Sequence, residues 1–167
     1  MRLFIAVNLS AEMKSALKET QKTMRAHGVR GNYTPDENLH LTLAFIGEIP
    51  NVEPVLDALA DVVFTPFDLS LDGIGCFGDL WWAGIQDSAA LSAVVRRIRR
   101  ALAANDIPFD RKRFSPHITL LRKASRSVGA TRFVPASMMV NTISLMSSKR
   151  GRNGMIYTEI GAIEAEL

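Results

Sequence analysis

The sequence predicts an α+β fold made of two similar lobes, each a largely antiparallel sheet with helices on its outer side. Residues 40–43 and 117–120, His-Leu-Thr-Leu and His-Ile-Thr-Leu, both lie in the alternating apolar runs that are typical of strands. The two tetrapeptides are 117 − 40 = 77 residues apart, and the same offset aligns residues 3–6 with residues 80–83. A constant offset without a gap predicts a duplicated unit, with the two lobes related by an approximate two-fold axis around one cleft.

The composition predicts a single domain over residues 1–167, since 47% of the chain is hydrophobic and can fill a core. Twenty Lys and Arg against 17 Asp and Glu leave a net charge of +3. This charge suits an anionic substrate but excludes a histone-like nucleic-acid binder. Cys76 is the only cysteine, so no internal disulfide can form and a cytoplasmic location is predicted.

Nothing in the sequence predicts a membrane protein. The apolar start, residues 3–9, is too short for the hydrophobic region of a signal peptide with its cleavage site. No other apolar stretch approaches the length of a membrane span. No linker divides the chain, and no feature indicates an obligate protein partner.

The first lobe is expected to begin with a buried strand over residues 3–9 and an amphipathic helix that Ser10 caps. The apolar stripe of that helix is formed by Met13, Leu17 and Met24. Gly28 is a plausible end for it, and a loop then leads to the first motif strand, residues 39–46. Asn51 is expected to cap a second helix that runs up to Pro66.

The second lobe repeats this order. A half-exposed strand over residues 67–72 and a glycine-rich turn precede the next strand, residues 80–86. Ser88 can cap a third helix, and the second motif strand covers residues 116–121. Two closing strands, residues 138–147 and 155–163, flank a basic hairpin at residues 149–154.

Each motif places an imidazole and a hydroxyl on one face of its strand. Side chains two positions apart share a face, so His40 stands with Thr42 and His117 with Thr119, each pair about 6.6 Å apart along the backbone. Imidazole exchanges protons near neutral pH, so two rings can divide the work of an in-line displacement at phosphorus. One ring would take a proton from the attacking oxygen and the other would give one to the leaving oxygen. The threonine hydroxyls can donate to phosphoryl oxygens, and the reactive ring nitrogens are expected to lie about 6–9 Å apart.

The segments HLTLAFIGE, SPHITLLRK and RLFIAVNL, together with residues 148–157, resemble the 2H phosphoesterases. The likeness runs through most of the chain and is strongest to the RNA 2′,3′-cyclic phosphodiesterases, also called 2′-5′ RNA ligases. It implies an enzyme without metal or cofactor that opens an RNA-terminal 2′,3′-cyclic phosphate to a 2′-phosphate. The reverse reaction would join ends through a 2′-5′ bond without ATP.

The same resemblance implies roles for the motif residues. His40 matches the proton donor to the leaving 3′-oxygen, and His117 matches the base that activates water. Thr42 and Thr119 match the threonines that hold the phosphate. Simple alternation from His117 sends Arg122 to the opposite face, yet the family often keeps an arginine here, so Arg122 is a further phosphate-binding candidate.

Aromatic and basic residues near the motifs are candidates for contacts with the rest of a nucleotide. Tyr33 and Phe114 could stack on a base, whereas Trp81 and Trp82 lie inside a strand and are assigned to the core. The basic run at residues 111–113 directly precedes the second motif and could contact a phosphate backbone. The arginines of the third helix are interpreted as a solvated face.

Four alternatives compete with this reading. A single His on a strand is usually structural, but two His-x-Thr motifs at equivalent positions of the two halves favour catalysis. Zinc would need a third protein ligand, and neither motif has another His, Cys or acidic residue at ligand spacing, so no metal site is predicted. The partners are expected to be RNA ends or nucleotides with a cyclic phosphate. A different cyclic phosphate, such as a cyclic ADP-ribose phosphate or a small cyclic nucleotide, or a non-catalytic binder of RNA ends, remains open.

Overall fold

The computed structural model describes residues 1–129 and 131–167. In chain order, its elements are β1 (Arg2–Asn8), α1 (Ala11–Ala26), β2 (Asn32–Tyr33), a 3-10 helix (Asp36–Asn38), β3 (His40–Glu48), α2 (Glu53–Ala60), β4 (Phe67–Phe77), β5 (Leu80–Ile85), α3 (Ala89–Ala104), β6 (His117–Arg122), β7 (Ser137–Val140), β8 (Thr142–Gly151) and β9 (Gly154–Glu164). The strands form two antiparallel sheets, in the orders β3-β1-β8-β9 and β2-β6-β5-β4-β7. The predicted α+β class with two antiparallel lobes is confirmed.

The two sheets place their motif strands in matching positions. β3 pairs with β1 in one sheet, and β6 pairs with β5 in the other, so each motif strand lies beside the strand that opens its half. β2 covers only the far end of β6, where Asn32 pairs with Arg122 and Tyr33 with Leu121. The end of β6 that carries His117 is therefore not covered by β2, and β6 lies against β3 of the other sheet without pairing. That these halves arose by duplication stays a prediction.

α1 and α3 begin where the sequence indicates. The hydroxyl of Ser10 accepts a hydrogen bond from the backbone of Met13, and that of Ser88 from Leu91, each at 3.1 Å. α1 contacts β6 and β7, whereas α3 contacts β3 and β4. No helix in residues 1–129 or 131–167 is long and apolar enough to cross a membrane.

The main core lies between the helices and one face of each sheet. Its strand side chains include Leu41, Leu43, Ile118 and Leu120, all at most 1% exposed. Burying such a side chain contributes about 1.5–3 kcal/mol. A second apolar cluster of Phe4, Ala6 and Met146, with Tyr157 packed against it, is separate from that core. Alternation along β1 puts this cluster on the opposite face of the first sheet, inside the cleft.

Three predicted elements are corrected by the structure. The single strand predicted over residues 138–147 is two strands in different sheets, because two consecutive polar residues, Asn141 and Thr142, separate the buried Val140 of one from the buried Ile143 of the other. The glycines at 73 and 75 lie inside β4, whose ladder is irregular between Leu71 and Ile74, and not in a turn. α2 ends at Ala60, well before Pro66, and Asn51 accepts a hydrogen bond from the backbone of Glu53 although the N-cap is Val52.

Candidate active site

His40 is held by two hydrogen bonds. Its Nδ1 lies 2.7 Å from the carbonyl oxygen of Asn38, and its Nε2 lies 2.9 Å from Oγ1 of Thr42. A carbonyl can only accept, so Nδ1 carries the hydrogen and the neutral ring has its lone pair on Nε2. The nitrogen that can exchange a proton therefore faces the hydroxyl of the motif threonine.

His117 is oriented by an equivalent hydrogen bond to the backbone. Its Nδ1 lies 2.7 Å from the carbonyl oxygen of Ser115, which is again two residues before the histidine. The Nε2 of His117 is accordingly left for proton exchange. Asn38 and Ser115 are themselves 115 − 38 = 77 residues apart, so the offset seen in the sequence extends to the groups that set each tautomer.

The structure brings both motifs to one cleft. β3 is the edge strand of its sheet and lies against β6, whose His117 end is not paired with β2, and both Thr42 and Thr119 are half-buried. The positive charges of Arg122 and His117 both act on the ring of His40. Arg122 and His117 thus lie within electrostatic range of His40, and each histidine shares a strand face with its own threonine, an arrangement suited to an anionic phosphoryl group.

A β-bulge follows each motif threonine and interrupts the alternation of both strands. The register of β3 against β1 leaves Leu43 without a cross-strand partner, and that of β6 against β5 leaves Leu120 without one. The next residue is also buried in each case, so two consecutive side chains enter the core. Later residues therefore change face. Alternation from His117 put Arg122 on the core face, which is wrong because the bulge returns it to the face of Thr119.

The bulge on β3 has an equivalent effect on Phe45, which is paired with Phe4 and therefore lies on the cleft face. Its ring is 36% exposed, and the guanidinium of Arg2 lies 5.1 Å from its centroid. Phe45 and Arg122 are 77 residues apart. The two lobes thus offer different groups at equivalent places, an aromatic ring on one and a cation on the other.

Each histidine packs against two aromatic rings. The ring centroid of His40 is 5.0 Å from that of Phe4 and 5.2 Å from that of Tyr157, the latter edge to face. His117 lies 5.3 Å from Phe77, also edge to face, and 6.3 Å from Trp82. The sequence reasoning missed these four partners as parts of the site.

One of these four aromatic residues, Trp82, could have been predicted from the alternation of side chains along its strand. Consecutive side chains on a strand point to opposite faces, so Trp81 and Trp82 cannot both lie in the core. Trp81 packs against the main core, whereas Trp82 is paired with Gly75 and Thr119 on the cleft face. A Cβ on Gly75 would lie 2.3 Å from the indole of Trp82, so this glycine is what lets the ring lie flat over β4.

The two predicted stacking residues lie elsewhere. Tyr33 packs against the main core, donates its hydroxyl to the carbonyl of Val29, and is covered by the guanidinium of Arg25 at 4.1 Å from its centroid. Phe114 also packs against the main core. Among the described residues, neither ring contacts His40 or His117 in an aromatic pair. No group of three or more His, Cys, Asp or Glu in that part of the chain could hold a metal ion.

The pKa of His40 is lowered from its ordinary value of 6.5, chiefly because burial penalises the charged ring. The bond to the carbonyl of Asn38 opposes this, while the charges of Arg122 and His117 add to it. We expect an NMR titration of the His40 ring protons to show a midpoint below 6.5, and inorganic phosphate to raise that midpoint. A midpoint at or above 6.5 without phosphate would contradict this.

The same shift has a consequence for stability. Because the folded-state pKa of His40 lies below the unfolded value, the unfolded chain binds more protons in the acidic range. The contribution of His40 to the free energy of unfolding is therefore complete above pH of about 6.5 and is lost as the pH falls through the folded pKa.

Asn38 connects the site to the rest of the first sheet. Its side chain is buried, and Nδ2 donates to the carbonyl of Met155 on β9 at 3.0 Å, while its own carbonyl orients His40. We expect Asn38→Ala to lower kcat about 10-fold, because the acceptor for Nδ1 is no longer fixed. Asn105→Ala, which removes an exposed amide bonded to the backbone of α3, is the matched control. A wild-type kcat and His40 titration in Asn38→Ala would exclude the positioning role.

Comparison with known proteins gives the following findings. The family model described as "2'-5' RNA ligase superfamily" matches residues 8–152. An RNA 2′,3′-cyclic phosphodiesterase of Escherichia coli K12 is 36% identical over 132 residues, which are 76% of this chain and 74% of that protein. One of Geobacillus stearothermophilus is 33% identical over 153 residues, or 84% of this chain, and the chain spans about half of that protein, 49%. The crystal structure of E. coli LigT complexed with 3′-AMP superposes with a TM-score of 0.84 at 28% identity, covering 99% of this chain and 98% of that one.

Proposed function

Because the chain belongs to the 2′-5′ RNA ligase superfamily of two-histidine phosphoesterases, we propose that it hydrolyses the 2′,3′-cyclic phosphodiester at RNA 3′ ends to a 2′-phosphomonoester. One observation carries the proposal: both imidazoles are fixed through Nδ1 by a carbonyl two residues earlier, with Nε2 left for proton exchange in one cleft. Relatives named RNA 2′,3′-cyclic phosphodiesterase support the choice of substrate.

In the proposed reaction, Nε2 of His117 takes a proton from water as the water oxygen attacks phosphorus. The bond between phosphorus and the 3′-oxygen breaks, and Nε2–H of His40 donates its proton to that oxygen. The products are a 3′-hydroxyl and a 2′-phosphate. Thr42 and Thr119 donate hydrogen bonds to the non-bridging oxygens, and Arg122 offsets their negative charge. When a 5′-hydroxyl takes the place of water, the same steps form a 2′-5′ bond without ATP.

The lowered pKa of His40 fits the role of acid. A ring with a lower pKa is a stronger proton donor once it is charged, which helps expulsion of an alkoxide. Burial keeps it neutral in the free enzyme, but an anionic phosphate beside it favours the protonated form. The substrate therefore brings His40 to its active protonation state. A bell-shaped dependence of kcat/KM on pH follows, with His117 required neutral and His40 required charged.

Product analysis tests the proposed function. The protein is incubated with 2′,3′-cyclic AMP in parallel reactions with and without EDTA, and the phosphate position is read by phosphorus NMR. Appearance of 2′-AMP supports the proposal, whereas appearance of 3′-AMP would mean that the 2′-oxygen and not the 3′-oxygen is the leaving group. Unchanged substrate would favour a non-catalytic binder, and loss of activity with EDTA would favour a metal mechanism. Faster turnover of an ADP-ribose cyclic phosphate in a parallel reaction would move the proposal to that substrate.

In this proposal Phe77 stacks on the base of the substrate, since its ring is 50% exposed and adjoins His117. Tyr33, by contrast, already has its ring covered by Arg25. Replacing Phe77 by Ala is expected to raise KM for 2′,3′-cyclic AMP about 10-fold, because base–aromatic stacking is worth about 1–3 kcal/mol. Phe133→Ala serves as a control outside the histidine cluster. Equal KM values for wild type and Phe77→Ala would remove Phe77 from the site.

We also propose that the protein is located in the cytoplasm. RNA ends are present there, and the single thiol of Cys76, which is exposed, has no second cysteine in the chain with which to form a disulfide. Cell fractionation that recovers the protein outside the cytoplasm would refute this part.

A further inference from the structure

The hairpin of β8 and β9 carries three basic side chains to which the chemistry at phosphorus gives no role. Lys149, Arg150 and Arg152 are all exposed, and no acidic residue occurs between positions 149 and 158. Within residues 1–129 and 131–167, the salt bridges join Met1 to Glu48 and Lys18 to Asp36, so none involves this hairpin. Three uncompensated positive charges thus surround one short turn.

The register of the strands puts part of this charge on the cleft face. Ser148 pairs with Tyr157, and Arg150 pairs with Met155 two residues further along, about 7 Å away. Side chains two apart share a face, so Arg150 follows Tyr157, whose ring contacts His40. Arg2 on β1 pairs with Ser148 and belongs to the same row. Arg2 and Arg150 therefore extend the cleft face beyond His40, and Arg152 lies at the turn that ends it.

The hairpin is also fixed relative to the reacting group. The bond from Nδ2 of Asn38 to the carbonyl of Met155 ties β9 to the segment that orients His40. Its loop is only two residues long between Gly151 and Gly154, which limits the freedom of the turn. A ligand held by the hairpin would thus be held at a defined distance from the catalytic cleft.

The substrate's chemistry indicates what such a ligand is. A 2′,3′-cyclic phosphate ends the RNA chain, so the remaining nucleotides leave the site through the 5′-oxygen of the terminal ribose, with one phosphate each. We infer that Arg150 and Arg152, with Arg2, bind the phosphates on the 5′ side of the reacting nucleotide. This inference rests on the proposed function, and it makes RNA oligonucleotides better substrates than mononucleotides.

The basic run before the second motif fits this role less well. The guanidinium of Arg111 lies 4.5 Å from the ring centroid of Phe109, and Arg99 of α3 lies 5.8 Å from the same ring. Arg99 also donates to the carbonyl of Lys112 at 2.7 Å. This loop is therefore engaged in packing against α3, whereas Arg150 and Arg152 have no such partner among the described residues. Arg2 does contact a ring, that of Phe45, but this ring is itself exposed on the cleft face.

The test compares two substrates in one double variant, Arg150→Glu with Arg152→Glu. For 2′,3′-cyclic AMP we expect unchanged kcat and KM. For a hexanucleotide with a terminal 2′,3′-cyclic phosphate, we expect KM to rise about 10-fold or more. The slope of log KM against log salt concentration should fall by about 1.4, because each lost phosphate contact on a single strand contributes about 0.7. Arg150→Gln with Arg152→Gln removes the charge without reversing it and should give the same direction.

A matched control is available on α3. Arg96 and Arg100 are exposed, and changing both to Glu alters the net charge by the same amount. If this control raises KM for the hexanucleotide as much as the hairpin variants do, the effect is one of net charge and the inference fails. It also fails if the hairpin variants lose activity on both substrates equally. Fluorescence anisotropy with a hexanucleotide bearing a 2′-phosphate measures the same contact without turnover. An inactive wild type would refute the proposed function, but the binding assay would still decide whether the hairpin arginines hold RNA.

Discussion

Replacing either His40 or His117 by Ala is expected to lower kcat/KM for 2′,3′-cyclic AMP by about 10²–10⁴-fold, the usual contribution of a positioned acid or base. In the proposed mechanism each ring exchanges its proton through Nε2, and Ala leaves nothing that can do so. The third histidine, His27, caps the end of α1 and is exposed, so His27→Ala provides the control. Near-normal turnover in His40→Ala or His117→Ala, with an unchanged melting temperature, would refute the assignment of that residue.

The pH profiles of the same variants separate the two roles. Loss of the base removes the requirement for a neutral ring, so His117→Ala should lack the acidic limb of the wild-type profile. Loss of the acid should remove the alkaline limb in His40→Ala. The opposite pattern would exchange the roles while leaving the two-histidine mechanism in place. The double variant should be little slower than either single variant, because residues that act as a unit are not additive.

Much of the fold could be predicted because its signals are local. Alternation with period two located both motif strands, and the helix caps at Ser10 and Ser88 depend on hydrogen bonds within three residues. The meeting of His40 and His117 in one cleft is a long-range feature. It was predictable only because the second motif repeats the first at a constant offset, so that the same local structure had to occur twice.

The errors come from features with no local signal. Nothing in Thr-Leu-Ala or Thr-Leu-Leu marks Leu43 or Leu120 as bulged, and yet these bulges decide the faces on which Phe45 and Arg122 lie. Phe4 illustrates a second limit. β1 is apolar on both faces, one covered by the main core and the other by the small cluster, so alternation could not show which residues line the cleft.

His40 and His117 occupy similar positions on their strands but have different neighbours. This difference explains how two equivalent histidines can take the different roles proposed for them. His40 is enclosed by Phe4 and Tyr157, and Arg122 lies within electrostatic range, so the pKa of its ring is lowered. His117 adjoins the half-exposed ring of Phe77 instead. Environments that differ in this way are what assign acid and base in a pair of like groups. Arg122, the cation at the position equivalent to Phe45, adds to the lowering of the pKa of His40.

Replacing Thr42 or Thr119 by Val is expected to lower kcat/KM by about 10²–10³-fold, the cost of removing one preorganised donor to a phosphoryl oxygen. Val keeps the branched shape, so the strand and its core face should be undisturbed. The Thr42 hydroxyl lies 2.9 Å from Nε2 of His40 and must turn toward the phosphate when substrate binds.

Serine at either position retains the donor and should stay within about 10-fold of wild type. Thr23→Val, which removes a hydroxyl bonded to the backbone of α1, is the matched control. If the Val and Ser variants lose activity equally, the hydroxyl is not what these positions supply, and the phosphate must be held by other groups.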